Sequence, residues 1–305
     1  MVDLNVSNIE CSQNYNTQST PKKKSRNIKQ SVAASSAAGG VGILSIGANA
    51  AITAMALNSF KLDNEPDKET IFNCADKFIE KKGLDKKGLK ILNWDKDSIF
   101  KRFYKFENGE IVNIKKLPVE LFLIGKGWNG GFVQKDISGT NIKKNTILIN
   151  KRELQVPIFH EIGHAINFNN SRLWRKVQKL RPLGMILPAF LMTFGAFTKN
   201  TTGKENCIAD KFKNKIRNNA GFFSLMAMVP IVAEEFKATS RANKWVSKAL
   251  SPELAQKVIK GNKIAGISYV IVAIATGLAS YTAVRVKDCL VAKKQQREIE
   301  KAANG

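Results

Sequence analysis

The stretch IAGISYVIVAIATGLASYTAVRV, residues 264–286, carries no charge until Arg285. As a helix it is long enough to cross a hydrocarbon core of about 30 Å, which takes about 20 apolar residues. Such a run predicts a transmembrane helix, and three other runs repeat the pattern. SVAASSAAGGVGILSIGANAAITAMALNSF, residues 31–60, is also uncharged and is read as a second membrane helix, though Ala, Gly and Ser dilute its hydrophobicity. PLGMILPAFLMTFGAF (182–197) and AGFFSLMAMVPIVA (220–233) are shorter. Fourteen helical residues reach only about 21 Å, so tilted spans, re-entrant arms and buried core helices all fit. Pro182, Pro188 and Pro230 shape these two runs. Four such runs in 305 residues predict an integral membrane protein.

That reading gives the formal charge of +24 a place. Basic residues cluster beside the apolar runs, where they suit anionic headgroups of a lipid bilayer. No basic motif is interleaved with aromatic residues, so no nucleic acid partner is expected. Cys11, Cys74, Cys207 and Cys289 are scattered and include no Cys-x-x-Cys pair, which argues against a disulfide framework or a cysteine-built zinc ribbon. Residues 1–30 are polar, end in PKKKSRNIKQ, and are expected to form a disordered basic tail. Residues 61–144 read as a soluble α/β region. KETIFNCADKFIEKKG (68–83) has helical spacing and a glycine stop, while VELFLIGKGWNGGFVQ (119–134) and NTILIN (145–150) have the content of short strands. Residues 287–305 read as a basic C-terminal tail. The expected fold class is α+β, mostly α: a multi-spanning membrane protein with a small strand-containing soluble portion.

Both histidines of the chain lie in QVPIFHEIGHAINF, residues 155–168. His160, Glu161 and His164 form H-E-x-x-H. On a helix, positions i and i+4 share a face, so two imidazoles converge on one metal ion while the intervening Glu reaches a water beside it. The alternative is two core histidines on an amphipathic helix. A chance coincidence of all the histidines with that spacing is roughly a one-in-several-thousand event, so a metal site leads. Zinc fits nitrogen and carboxylate donors and keeps one position open in catalytic sites. The third ligand must come from elsewhere than histidine. Eight acidic residues follow His164. Glu234 and Glu235, in VPIVAEEFKATSRANKW, stand where an apolar run turns polar; KENCIADKF (204–212) is second, with Cys207 an outlying option. Two apolar runs separate the histidines from the Glu pair, which lets the chain leave and return to one side of a membrane. With all four runs spanning, the basic tails and the 199–219 loop are cytoplasmic by the positive-inside rule and the site faces outward.

FHEIGHAIN, then LRP opening an apolar stretch, then EEFKATSRA, resembles the YugP-type membrane zinc metallopeptidases of bacteria, and more distantly the HtpX-type gluzincins. The resemblance covers roughly residues 145–245. It implies a gluzincin-like H-E-x-x-H metallopeptidase core over 145–263, including the segments 182–197 and 220–233. It implies one Zn2+ per chain held by His160, His164 and Glu235, with Glu161 as catalytic base. It also implies a polypeptide substrate and a place in a bacterial cell membrane. Ala238 and Thr239 fall at the matching offsets after Glu235, with Thr239 where relatives carry Ser or Asp, and Arg241 and Ala242 match the end of the motif. NTILIN would be the edge strand that pairs with an extended substrate. With no histidine left over, an additional oxyanion donor would be a tyrosine such as Tyr104, Arg241 or the backbone. The rival expectation is an inert membrane scaffold with a structural or relic metal site, its fourth position closed by Cys207 or the second Glu of the pair.

Overall fold

The computed structural model describes residues 23–60, 62, 65–95, 103–106, 111–113, 130–136, 143–149, 156–200 and 207–304. Residues 1–22 of the expected tail and 119–129 of the first expected strand lie outside them. In chain order the elements are α1 (Lys23–Phe60), α2 (Glu65–Lys81), β1 (Lys90–Asp95), β2 (Phe103–Phe106), β3 (Ile111–Asn113), β4 (Gly130–Val133) and β5 (Thr146–Ile149). Six helices follow: α3 (Ile158–Asn170), α4 (Arg172–Lys179), α5 (Arg181–Phe197), α6 (Ile208–Asn218), α7 (Ala220–Ala249) and α8 (Pro252–Ala303). The described residues are mostly helical with one small sheet, and the chain divides into two compact units.

The unit made of residues 46–184 and 228–273 holds the sheet and the main hydrophobic core. Helix α2 forms as its spacing predicts: Ile71, Cys74, Ala75, Phe78 and Ile79 recur every three or four residues and all are buried. It stops at Gly83, whose φ of +60° is the left-handed conformation that ends helices. The sheet order is β3-β2-β1-β5-β4, with β1 and β5 parallel and the other pairs antiparallel. NTILIN is therefore an interior strand and not an edge; Thr146–Ile149 is buried at every position, and β4 is the edge beside it. Helix α3 packs Ile158, Phe159, Ile162, Ala165 and Ile166 into the same core, and Phe168 meets Phe132 of β4 edge-on at 5.6 Å. The C-terminal half of α7 adds Ala242 and Val246. Trp245 of α7 stacks on Phe78 at 4.7 Å and donates its indole N–H to the Cys74 carbonyl.

The other unit takes its described residues from 1–45, 185–227 and 274–305. Small residues dominate its contacts: Ala34, Ala38, Ala196, Ala279 and Ala283 form one cluster. A Cβ on Gly221 would lie 2.9 Å from the Gly277 carbonyl oxygen, and one on Gly195 would lie 2.5 Å from Val284. Close packing of this kind, joined by a Ser224–Ser280 hydroxyl hydrogen bond of 2.7 Å, is how helices associate where apolar surface has no water to escape. Arg217 is fully buried and paired with both oxygens of Asp288.

Three boundaries differ from the sequence expectations. Helix α1 begins at Lys23, inside the segment read as a tail. Residues 264–286 and the basic stretch beyond them belong to one helix of 52 residues, α8. Residues 220–233 open a 30-residue helix, α7, that carries the Glu pair within it. Among the described residues two helical stretches, Arg172–Phe197 and Pro252–Ala303, are long and apolar enough to cross a membrane, or three if α6 and α7, bent by 66°, count as one span.

Candidate metal centre

The site is built where α3 crosses α7. A Cβ on Gly163 would lie 2.4 Å from the carbonyl oxygen of Ala238, so only glycine lets the two backbones approach this closely. Three residues before that contact and one residue after it, α3 carries His160 and His164, and α7 carries Glu235 and Thr239 at the same two offsets. The crossing brings three donors together. His160 Nε2 and His164 Nε2 are 2.9 Å apart, and Glu235 Oε2 lies 3.0 Å from the first and 3.3 Å from the second. Atoms so spaced lie on a circle of radius about 1.8 Å, inside the bond lengths of about 2.0–2.2 Å that zinc forms to nitrogen and oxygen, so one ion could be held by all three. The imidazoles stand nearly perpendicular, with ring centroids 4.5 Å apart. Among the described residues this is the one group of three side chains able to hold a metal ion.

The remaining nitrogens are supported as metal-binding histidines usually are. His164 Nδ1 lies 2.8 Å from Glu234 Oε1, and His160 Nδ1 lies 3.1 Å from Thr239 Oγ1. With Nδ1 protonated on both rings, each donates there and leaves Nε2 free for the ion. The adjacent glutamates thus divide the work. Successive helical residues point about 100° apart, so Glu235 faces both Nε2 atoms while Glu234 sits behind His164.

Glu234 is itself held from three sides. Asn167 Nδ2 donates to Oε1 at 2.8 Å, Gln178 Nε2 donates to the same oxygen at 2.6 Å, and Arg181 donates to Oε2 at 2.7 Å. The other arm of the Arg181 guanidinium donates to Glu235 Oε1, so one fork clamps both carboxylates. Gln178 also donates to the His164 carbonyl at 3.1 Å. Tyr269 of α8 lies within electrostatic reach of Glu235 and Glu161.

Burial sets the electrostatics. Glu161, Glu234 and Glu235 are all buried, and Arg181 is the cation hydrogen-bonded among them. Arg241, two turns beyond Glu234 on α7, lies within electrostatic reach of it. Three carboxylates against one clamped guanidinium call for more positive charge. Burial raises the Glu161 carboxyl above the usual carboxylate range, against the pull of His164 and His160. Burial disfavours the charged form of His164, but Glu234 and Glu235 outweigh it and hold the ring well above the usual histidine value. Without an ion, protons fill part of the deficit.

His160, His164 and Glu235 come together, Glu161 is buried on the same helix, and Glu234 takes the supporting place. Cys207 and Asp210 belong to the other unit, where Asp210 pairs with Lys213. Tyr104 lies on β2, and its side chain falls outside the described residues. Arg181, Gln178, Asn167 and Tyr269 were not foreseen as site residues. For Arg181 the signal was present: a single charge at the head of an uncharged run must find a partner or leave the run. Asn167 and Gln178 carry no such mark. No protein-family model, curated protein or solved structure matches the chain.

Proposed function

We propose that this chain is a membrane-embedded zinc metallopeptidase of the YugP type, hydrolysing peptide bonds of polypeptide substrates. The observation that carries the reading is the convergence of His160 Nε2, His164 Nε2 and Glu235 Oε2 to within about 3 Å of one another beside a buried Glu161. The donor set suits zinc: two imidazoles, one carboxylate and an existing need for positive charge. Among the described residues the metal-binding group has three members and no fourth, which favours an open catalytic site over a closed structural one. A zinc ion held there supplies Lewis acidity, lowering the pKa of water and polarising a carbonyl.

The chain's own residues do the rest. Glu161, raised by burial above the usual carboxylate range, accepts a proton from the attacking water and returns it to the departing amine. Glu234 and Thr239 fix the tautomers of the two histidines. Arg181 keeps Glu235 from turning away. Tyr269, beside Glu235, is the hydroxyl nearest to hand to donate to the oxyanion that would form when the carbonyl is attacked. The test is metal content of the detergent-purified protein, wild type beside Glu161→Gln, Glu234→Gln and Glu235→Gln, with peptidase assays on casein and on a membrane-embedded polypeptide. One zinc per chain, retained in Glu161→Gln with activity lost and absent in Glu235→Gln, is the expected result. A wild type without stoichiometric metal would sink the proposal.

A further inference from the structure

Helix α4, RLWRKVQK, joins the metal-binding helix to the apolar α5, and its residues sort onto three faces. Trp174 and Gln178, followed by Arg181, lie along one line, and Gln178 and Arg181 reach the centre described above. Leu173, Val177 and Leu180 lie along a second, and Leu173 and Leu180 are 65% and 44% exposed. Arg172, Lys176 and Lys179 lie along a third, all exposed. Arg175, also exposed, is engaged at the end of α3, where it donates to the carbonyls of Phe168 and Asn169. The helix has four cations and no acid.

We infer that α4 lies in the headgroup layer of an anionic membrane and fixes the metal centre at the bilayer surface. Length supports this placement. The 17 residues of α5 extend about 26 Å, short of a hydrocarbon core of about 30 Å. The whole candidate span Arg172–Phe197 has 26 residues, about 39 Å, so its first two turns emerge at the interface. An exposed apolar stripe beside a basic one is the pattern of interfacial helices, and the partner of matching charge is an anionic headgroup. The inference rests on the metallopeptidase reading for its consequence: a site at this level receives polypeptide segments that lie in or leave the membrane surface.

The test is site-directed spin labelling of the full chain in nanodiscs of phosphatidylcholine with and without phosphatidylglycerol. Cys11, Cys207 and Cys289 are replaced by Ser, while the buried Cys74 is kept. Leu173→Cys and Lys176→Cys are labelled singly, and zinc content is measured on the same samples. The expected label at 173 collides with oxygen more than with a water-soluble nickel chelate, and the label at 176 does the reverse. Phosphatidylglycerol deepens position 173, and Lys176→Glu/Lys179→Glu in the Leu173→Cys chain removes that lipid dependence. Equal chelate access at 173 and 176 in both lipids would overturn the inference, leaving α4 a solvated helix or a dock for a soluble acidic partner. Zinc content at one per chain in that same sample would show that the metal centre stands regardless.

Discussion

Replacing Gly163 by Ala tests whether the α3–α7 crossing is what assembles the centre. Two effects oppose each other. Alanine is the better helix former by about 0.8–1.0 kcal/mol, so an unconstrained helix would gain stability. In this fold the new methyl meets backbone: it would lie 2.4 Å from the oxygen, 2.8 Å from the carbonyl carbon and 2.9 Å from the Cα of Ala238, against ordinary contact of 3.4–4 Å. A backbone atom cannot swing away as a side chain does, so the helices must part by about 1 Å, and overpacking of this kind costs typically 1–3 kcal/mol. The clash wins over the propensity gain. Its effect on the metal should be larger than on the fold, because ligand positions tolerate only about 0.2 Å and a separation of about 1 Å takes Glu235 away from both histidines. We expect zinc affinity, measured by competition with a chromophoric chelator, to fall by at least the 10–100-fold that follows loss of a supporting contact, with a lower unfolding midpoint. Ala238→Gly should not rescue it, since the Ala238 atoms involved are backbone and Cα. A Gly163→Ala protein with wild-type zinc affinity and midpoint would refute the reasoning.

Arg181→Lys removes the fork that spans Glu234 and Glu235; one ammonium cannot match both carboxylates. Breaking a buried charge network costs about 3–5 kcal/mol, and we expect a lower unfolding midpoint in zinc-free buffer and weaker zinc binding, both checked against wild type. pH acts through His164 and Glu161. Both are raised in the folded chain. The stability from His164 is full below about pH 6.5, the unfolded histidine value, and that from Glu161 only below about pH 4.3, the unfolded carboxyl value; each is lost as pH climbs through the raised folded value. Zinc must displace the His164 proton, so its affinity should weaken toward acid. Denaturation midpoints from pH 6 to 9 with and without chelator check this, and a metal-free midpoint that rises with pH would contradict it. Tyr269→Phe should keep one zinc per chain yet lower kcat by about 10²-fold; unchanged kcat would return the oxyanion to other donors.

Hydropathy marked where a bilayer fits and left helix length open. KDCLVAKKQQREIEKAA, after residue 286, is made largely of good helix formers, so α8 continues through charges that would end a membrane span. EEFKATSRANKWVSKA extends α7 beyond its apolar run in the same way. The place of NTILIN in the sheet depends on β1, more than fifty residues earlier, and no local pattern names that partner. One sign was readable: TILI lacks the apolar–polar alternation of a strand with a wet face, and an unbroken apolar run suits an interior strand. The H-E-x-x-H residues were legible because helical spacing alone puts them on one face. Asn167 and Gln178 matter through a carboxylate 56 or more residues away, a distance over which only the folded chain supplies the proximity.

Charge explains why so basic a chain hides its acids here. With 49 Lys or Arg against 25 Asp or Glu, exposed carboxylates find cations easily, and burying three together needs a specific return. Arg181 supplies one positive charge through its fork, and it is fully spoken for by Glu234 and Glu235. Glu161 has no such partner among the described residues and is left to burial and the field of the histidines. A divalent ion on His160, His164 and Glu235 would bring this cluster of three carboxylates and one guanidinium to neutrality. It would also remove the need to protonate His164 and lower the cost of an ionised Glu161. The same ion that completes the ligand set would thus switch the neighbouring glutamate into the form a general base requires.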